Sequence, residues 1–198
     1  MVSDRGRGAE PLSREPVIGR ACALLLERLR GELSPAVPGA EDAVQLAYPG
    51  MEADYRLGVF PYDMEEIRPF GPPGEERAGD GAMRSPCRLL ALHLLLYANR
   101  RVPFDGMEGM DELVLLEGAA RAAQDMAPLE VDGQKIRVDF LHLEPGEKTA
   151  LWQSLGQPLQ PAVYLTLEPL RLPGGRLRPI HPVKEARLSA RRKKEGPL

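Results

Sequence analysis

Apolar residues recur at helical spacing from Val17 onward: Val17, Ile18, Ala21, Leu24, Leu25, Leu29 and Leu33, with Arg20, Glu27, Arg28 and Arg30 off the stripe. A stripe of that width predicts an amphipathic helix that ends at Ser34-Pro35 and covers one face of a sheet. A Pro/Gly loop follows, then a short strand over 43–48 and a better one over Arg56–Tyr62. In the latter, Leu57 and Val59 take one side and Gly58, Phe60 and Tyr62 the other, while Pro61 points to an edge, a bulge or an early strand end. The Gly- and Pro-rich stretch from Pro69 to Pro86 predicts a long exposed loop. Leu89–Tyr97 is apolar on both parities and has no β-branched residue. It suits either a helix or a strand buried on both faces, and periodicity does not separate the two.

Beyond a turn, Met110–Met126 predicts a helix with Leu113, Leu116, Ala120 and Ala123 on its inner face and acids near its start, where the helix dipole favours them. Asp132-Gly133 is a hairpin signal between Leu129–Val131 and Ile136–Phe140. In the second arm, Arg137 and Asp139 alternate with apolar residues, so one face is wet or meets a partner. Pro145 and Glu147 begin a short helix that runs through Trp152, the only tryptophan, to Gly156 and Pro158. Val163, Leu165 and Leu167 then alternate with Tyr164, Thr166 and Glu168, the pattern of a half-buried strand, which Pro169 is expected to interrupt. Residues 1–16 are polar and read as a flexible leading segment, 17–172 as the folded domain, and 173–198 as an extended basic arm.

Composition changes this picture little. The chain has 198 residues, 43% hydrophobic and 28% charged, with a net charge of −3, ordinary values for one globular domain. From Lys184 to the end, six basic residues stand against two acidic ones, the pattern of a solvated tail or of an arm for an acidic partner surface through Arg187, Arg191, Arg192, Lys193 and Lys194. That tail has no aromatic residue for stacking on bases, so nucleic acid is not the expected partner. Cys22 and Cys87 are far apart in sequence without metal-ligand spacing, which favours a reducing compartment over a disulfide framework. No apolar run is long enough for a bilayer, and residues near the N-terminus do not resemble a secretory signal.

Candidate chemistry is sparse. His93, His142 and His181 have no nucleophile elbow beside them, and His93 reads as a hydrogen-bonded core residue. Asp63, Glu65 and Glu66 read as a solvated acidic turn rather than a metal loop. Gly71, Gly74, Gly79 and Gly81 are spread among prolines with no helix after them, so they make no phosphate cradle. No catalytic, cofactor or metal residues are assigned, and a non-enzymatic role is expected.

The order of the segments carries more information than any of them alone. The series is the helix from Val17, the strand end Phe60-Pro61-Tyr62-Asp63, the run Leu90–Ala98, the helix start Asp111-Glu112-Leu113-Val114-Leu115-Leu116, and the string Leu151-Trp152-Gln153-Ser154-Leu155-Gly156-Gln157-Pro158 before a strand. It resembles the cap, or tail-terminator, proteins of phage-tail-like extracellular contractile injection systems. These carry an L-W-x-x-L-G-Q-P-like run before their last core strand and an L-Y-x-Y-D-like strand end. The similarity covers about 17–172; Pro61, Pro169 and the 69–86 stretch depart from the family pattern. The resemblance implies an α/β fold with a mixed β-sheet flanked by helices, which favours the strand reading of 89–97. It also implies a homohexameric ring whose partners are the inner-tube and sheath proteins, with no membrane partner and no cofactor. The ring would end the growth of tube and sheath. It would be built in the cytoplasm and carried in the particle, including particles released from the cell. Alternatives are another tail-completion or baseplate component of the same machine, or a nucleic-acid-binding protein using the basic tail. Within the motif, Leu151, Trp152, Leu155, Gly156, Gln157 and Pro158 serve as fold markers.

Overall fold

The computed structural model describes residues 16–34, 43–67, 76–78, 82–102, 108–174 and 177–179. Its elements, in chain order, are α1 (Val17–Leu33), β1 (Val44–Leu46), β2 (Leu57–Ile67), β3 (Glu76–Ala78), β4 (Ala82–Arg84), β5 (Arg88–Ala98), α2 (Glu108–Gln124), β6 (Leu129–Val131), β7 (Gln134–Phe140), α3 (Pro145–Ser154), β8 (Ala162–Leu172) and β9 (Leu177–Pro179). The chain divides into two units, Met1–Pro72 with Arg88–Leu172, and Pro73–Cys87 with Pro173–Leu198.

The first unit is built on a six-stranded sheet in the order β1-β2-β5-β8-β7-β6. Only β1 and β2 run parallel; the other neighbours are antiparallel, so the sheet is mixed as expected for the α/β class. The ambiguous run of Leu and Ala is the central strand β5, flanked on both sides and buried on both faces. Tertiary burial overrides the helical preference of leucine there. Helices α1 and α2 cover one face through Ala21, Leu25 and Leu29 of α1 and Leu115, Leu116 and Ala119 of α2. These pack on Leu57, Val59, Leu94, Leu96, Leu165 and Leu167. The opposite face, with Leu95, Tyr97 and Tyr164, receives α3.

Local chemistry explains the joints. Asp132 (φ 51°) and Gly133 (φ 72°) both take left-handed backbone, the requirement of the tight turn that joins β6 to β7. Arg20 of α1 forms an ion pair with the Asp132 carboxylate. That contact holds the carboxyl below its usual range. Pro61 is accommodated by a bulge: the β2–β5 register shifts between Pro61 and Asp63. Pro169 sits in a cis peptide bond after Glu168, where the β5–β8 register also shifts, and β8 continues to Leu172 beyond it.

Pro169 interrupts the β5–β8 ladder as expected, since the register shifts there, although β8 itself continues to Leu172. Other expectations are corrected. Asp63, Glu65 and Glu66 are not a turn; they extend β2 to Ile67 along β5. The inner face of α2 is rotated: Leu116 and Ala123 are buried as expected, but Leu113 is half exposed and Leu115, Ala119 and Ala122 take the inner positions. Gly118 faces Leu33 of α1 so closely that a Cβ would lie 2.9 Å from its methyl, and the buried Glu112 is drawn into a bidentate pair with Arg100, both N···O distances 3.0 Å. These two contacts fix the rotation of the helix.

The second unit contains a three-stranded antiparallel sheet, β3-β4-β9. Strands therefore occur inside the stretch read as a long loop, and Leu177–Pro179 at the start of the basic arm pairs with β4. Within this sheet's connections, Gly174 lies against the Ser85 backbone, with room for no Cβ. Short strands of this kind carry no hydrophobic period for a sequence to reveal.

Candidate functional site

The segment around Trp152 is assembled from its ends. Glu144 and Glu147 form a reciprocal capping box at the start of α3, with Pro145 in the first turn, where its missing N–H costs nothing. At the other end, Gly156 takes φ 65°, its N–H donates to the Gln153 carbonyl, and the Gln157 N–H donates to the Trp152 carbonyl at 3.1 Å. This pair of bonds is a Schellman stop, and Pro158 follows where the helix cannot continue. The Leu-Gly-Gln-Pro part of the string is therefore a terminator of the helix itself. Gln157 also reaches beyond the helix. Its side-chain amide packs against Gly50 (φ 94°), where a Cβ would come within 2.5 Å of Nε2. Tyr48 donates to the Leu155 carbonyl at 3.3 Å, tying the end of α3 to the loop after β1.

Trp152 is 1% exposed. Its indole N–H donates to the Tyr164 hydroxyl at 3.0 Å, and its ring meets Tyr97 edge to face at 6.1 Å. Tyr97 stacks in the same manner on Tyr55, the two hydroxyls are 2.7 Å apart, and Tyr97 also donates to the Ala47 carbonyl at 3.2 Å. Asn99 completes the corner by donating to the carbonyls of Ala53 and Tyr55. Burial, with the Tyr55 hydrogen bond second, pushes the Tyr97 phenol far above its ordinary range. Burial also raises Tyr164, against the opposing effect of the Trp152 hydrogen bond. Tyr97 covers Gly58, its cross-strand partner on β2; a Cβ there would lie 2.3 Å from the ring. Leu151 and Leu155 are half buried beside this cluster, while Gly156 and Pro158 are exposed.

Along the same sheet face, away from α3, the chemistry changes. His93 on β5 lies opposite Thr166 on β8, which in turn lies opposite Asp139 on β7. Tyr62 meets the His93 ring edge-on at 6.0 Å. The Tyr62 hydroxyl, His93 Nε2 and Thr166 Oγ1 are buried and make no hydrogen bond among the described residues. His93 Nε2 does lie 3.3 Å from a Glu65 oxygen, without hydrogen-bond alignment. Burial, then the nearby Asp63 carboxylate, pushes Tyr62 up to about 12. His93 is thus partly buried, with its side chain 12% exposed, rather than the fully buried core residue expected, and its Nε2 makes no hydrogen bond among the described residues. His142 is exposed, 3.5 Å from Glu144. His181, the glycines at 71, 74, 79 and 81, and the arm residues Arg187, Arg191, Arg192, Lys193 and Lys194 lie outside the described residues. Among the described residues no group of three or more His, Cys, Asp and Glu is arranged to hold a metal, and no helix is long and apolar enough to cross a membrane. Cys22 is buried, which raises its thiol pKa, and Cys87 is partly buried; no disulfide joins them.

A sequence profile described as the Pvc16 N-terminal domain matches residues 21–185. The chain belongs to the Pvc16 N-terminal domain family. Its fold is similar to a structure described as the PVC sheath/tube terminator of an extracellular contractile injection system in the extended state, with a TM-score of 0.61 and 15% identity over 92% of this chain and 66% of that one. It is also similar to the anti-feeding prophage tube-terminating cap, with a TM-score of 0.57 and 17% identity over 87% of this chain and 60% of that one. The chain thus spans just under two thirds of the length of these solved relatives. A search of curated proteins finds no significant match. For this Pvc16-type domain, sequence reasoning identified the Trp152 string but missed Tyr55, Tyr97, Tyr164 and Asn99 as its counterpart. Only the position of Tyr97 at the end of the apolar run signalled it.

Proposed function

We propose that the chain is a structural cap that ends the inner tube and contractile sheath of a phage-tail-like injection particle. The observation that carries this reading is the Pvc16 family match over 21–185, joined to a fold like that of two tube-terminating proteins. In this reading the copies form a homohexameric ring at the end of the particle distal to the baseplate. One side of the ring is complementary to the last layer of tube and sheath, and the other recruits no further subunit. A heterologous contact that closes by rotation gives such a ring without leaving an open end. The role is one of assembly rather than catalysis. It is carried out in the cytoplasm, and the ring then travels with the particle.

The test is to delete the gene in a producing strain and image the particles by electron microscopy. The expected result is tubes and sheaths of uncontrolled length or unstable ends, restored by supplying the chain. Particles of normal length, or a tagged chain located at the baseplate end, overturn the reading; the latter outcome indicates a baseplate component instead.

A further inference from the structure

Among the described residues, the outer edge of β2 is unpaired over most of its length. Strand β1 pairs only with Leu57–Val59, and among the described residues no strand pairs with the outer side of Phe60–Ile67. Such an edge presents unpaired backbone N–H and C=O groups that a further strand satisfies. Its exposed residues are Asp63, Met64, Glu65 and Glu66. Asp63 and Glu65 share the face of their β5 partners His93 and Ala91, while Met64, 50% exposed, is on the other face. Glu66 is paired with Arg88 at 2.7 Å, and Glu65 is near His93. The acids deter another acidic edge and favour a basic strand.

The chain supplies a segment of that kind. Between Glu185 and Lys194, Ala186, Leu188 and Ala190 alternate with Arg187, Ser189 and Arg191, and Lys193 continues the polar row. This is the period of a strand with one apolar and one basic face. Fully extended, residues 183–194 span roughly 40 Å, enough to run the whole length of the Phe60–Ile67 edge. We propose that the outer edge of β2 over Phe60–Ile67 receives, as an added strand, the basic arm 183–194 of a second copy of this chain. Arg187 or Arg191 lies opposite one of Asp63 and Glu65 with Ser189 opposite the other, the second arginine flanks the pair, and the Ala186-Leu188-Ala190 row covers Met64. The proposal rests on the ring reading and supplies the contact that links one subunit to the next.

The test uses the full chain. Equal amounts of isotopically heavy and light protein are mixed, joined with a zero-length carbodiimide cross-linker, and digested for mass spectrometry. The expected products are mixed heavy–light peptides joining Lys193 or Lys194 to Asp63, Glu65 or Glu66. Cross-links confined to one isotope overturn the contact between copies. In parallel, light scattering follows the ring population of Asp63→Lys/Glu65→Lys, of Arg187→Glu/Arg191→Glu, and of the two sets combined. Each set alone is expected to lower the ring population at least tenfold, and the combination to restore it, which a general loss of folding does not do. If rings form and neither reversal affects them, the arm contact is wrong and the ring reading stands. If the unmodified chain stays monomeric even with tube ends supplied, the ring reading itself fails and the arm contact fails with it.

Discussion

The two faces of the central sheet are built on different principles. The α1/α2 face is closed by aliphatic side chains over most of its area, with Leu25, Leu29, Leu57, Leu94, Leu96, Leu165 and Leu167 all fully buried and Met64 half exposed at its edge. The α3 face is closed at one end only, by Trp152 and tyrosines that combine ring packing with directed hydrogen bonds. Farther along that face it leaves buried hydroxyl and imidazole atoms with no hydrogen bond among the described residues, and charged residues exposed. An aliphatic layer holds by area and tolerates repacking; a hydrogen-bonded aromatic joint holds by geometry and tolerates little.

Substitutions on both faces test that contrast. Trp152→Ala is expected to cost the most, about 3–5 kcal/mol, because it empties the corner and strips the Tyr164 hydroxyl of its donor. Urea denaturation measures it, and a loss below that of an aliphatic truncation breaks the comparison. Leu94→Ala on the helical face is expected to cost about 3 kcal/mol, while the volume-conserving Leu94→Met costs under about 1.5 kcal/mol. Equal losses for the two would show that the aliphatic layer does not repack.

Gly58→Ala is expected to destabilise by about 2 kcal/mol through overpacking, since Tyr97 lies on that glycine and is itself held by two hydrogen bonds. A neutral result in thermal unfolding means that the aromatic corner yields as readily as the aliphatic layer. Thr166→Val works in the other direction. Its hydroxyl has no hydrogen-bond partner among the described residues, so removing it is expected to stabilise by about 1 kcal/mol; destabilisation would show that the polar row is satisfied after all.

The smallest expected effect is on pH dependence. Tyr62 is raised from 10.0 to about 12 in the folded chain, so between those values the native state holds a proton that the unfolded state has released. Stability is therefore unaffected below pH 10 and falls as pH climbs toward 12. Its partial exposure keeps the contribution small. Urea midpoints at pH 9 and 11 for the native chain and Tyr62→Phe measure it, and the variant is expected to show the shallower decline.

How much of this was legible beforehand varies by element. Helix α1, the Asp132-Gly133 turn and both ends of α3 follow from local rules: an apolar stripe, a left-handed turn, a capping box and a glycine stop. The Leu151–Pro158 string was readable for the same reason, because most of its residues serve the helix they end. The other half of the corner was not, since Tyr55 and Asn99 lie 97 and 53 residues from Trp152 (152 − 55 and 152 − 99) and no short-range pattern links them.

The sequence by itself determined where helices start and stop, which turns are tight, and which faces are apolar, because those depend on residues within a few positions of one another. Tertiary structure alone decided that Leu89–Tyr97 is a central strand, that α2 turns Leu113 outward, that Pro61 and Pro169 are carried by shifts in register, and that β2 runs on through its acidic residues to Ile67. Each of these depends on which neighbour supplies burial or a backbone partner. That is set by contacts between distant segments, and the pattern along a single segment does not encode it.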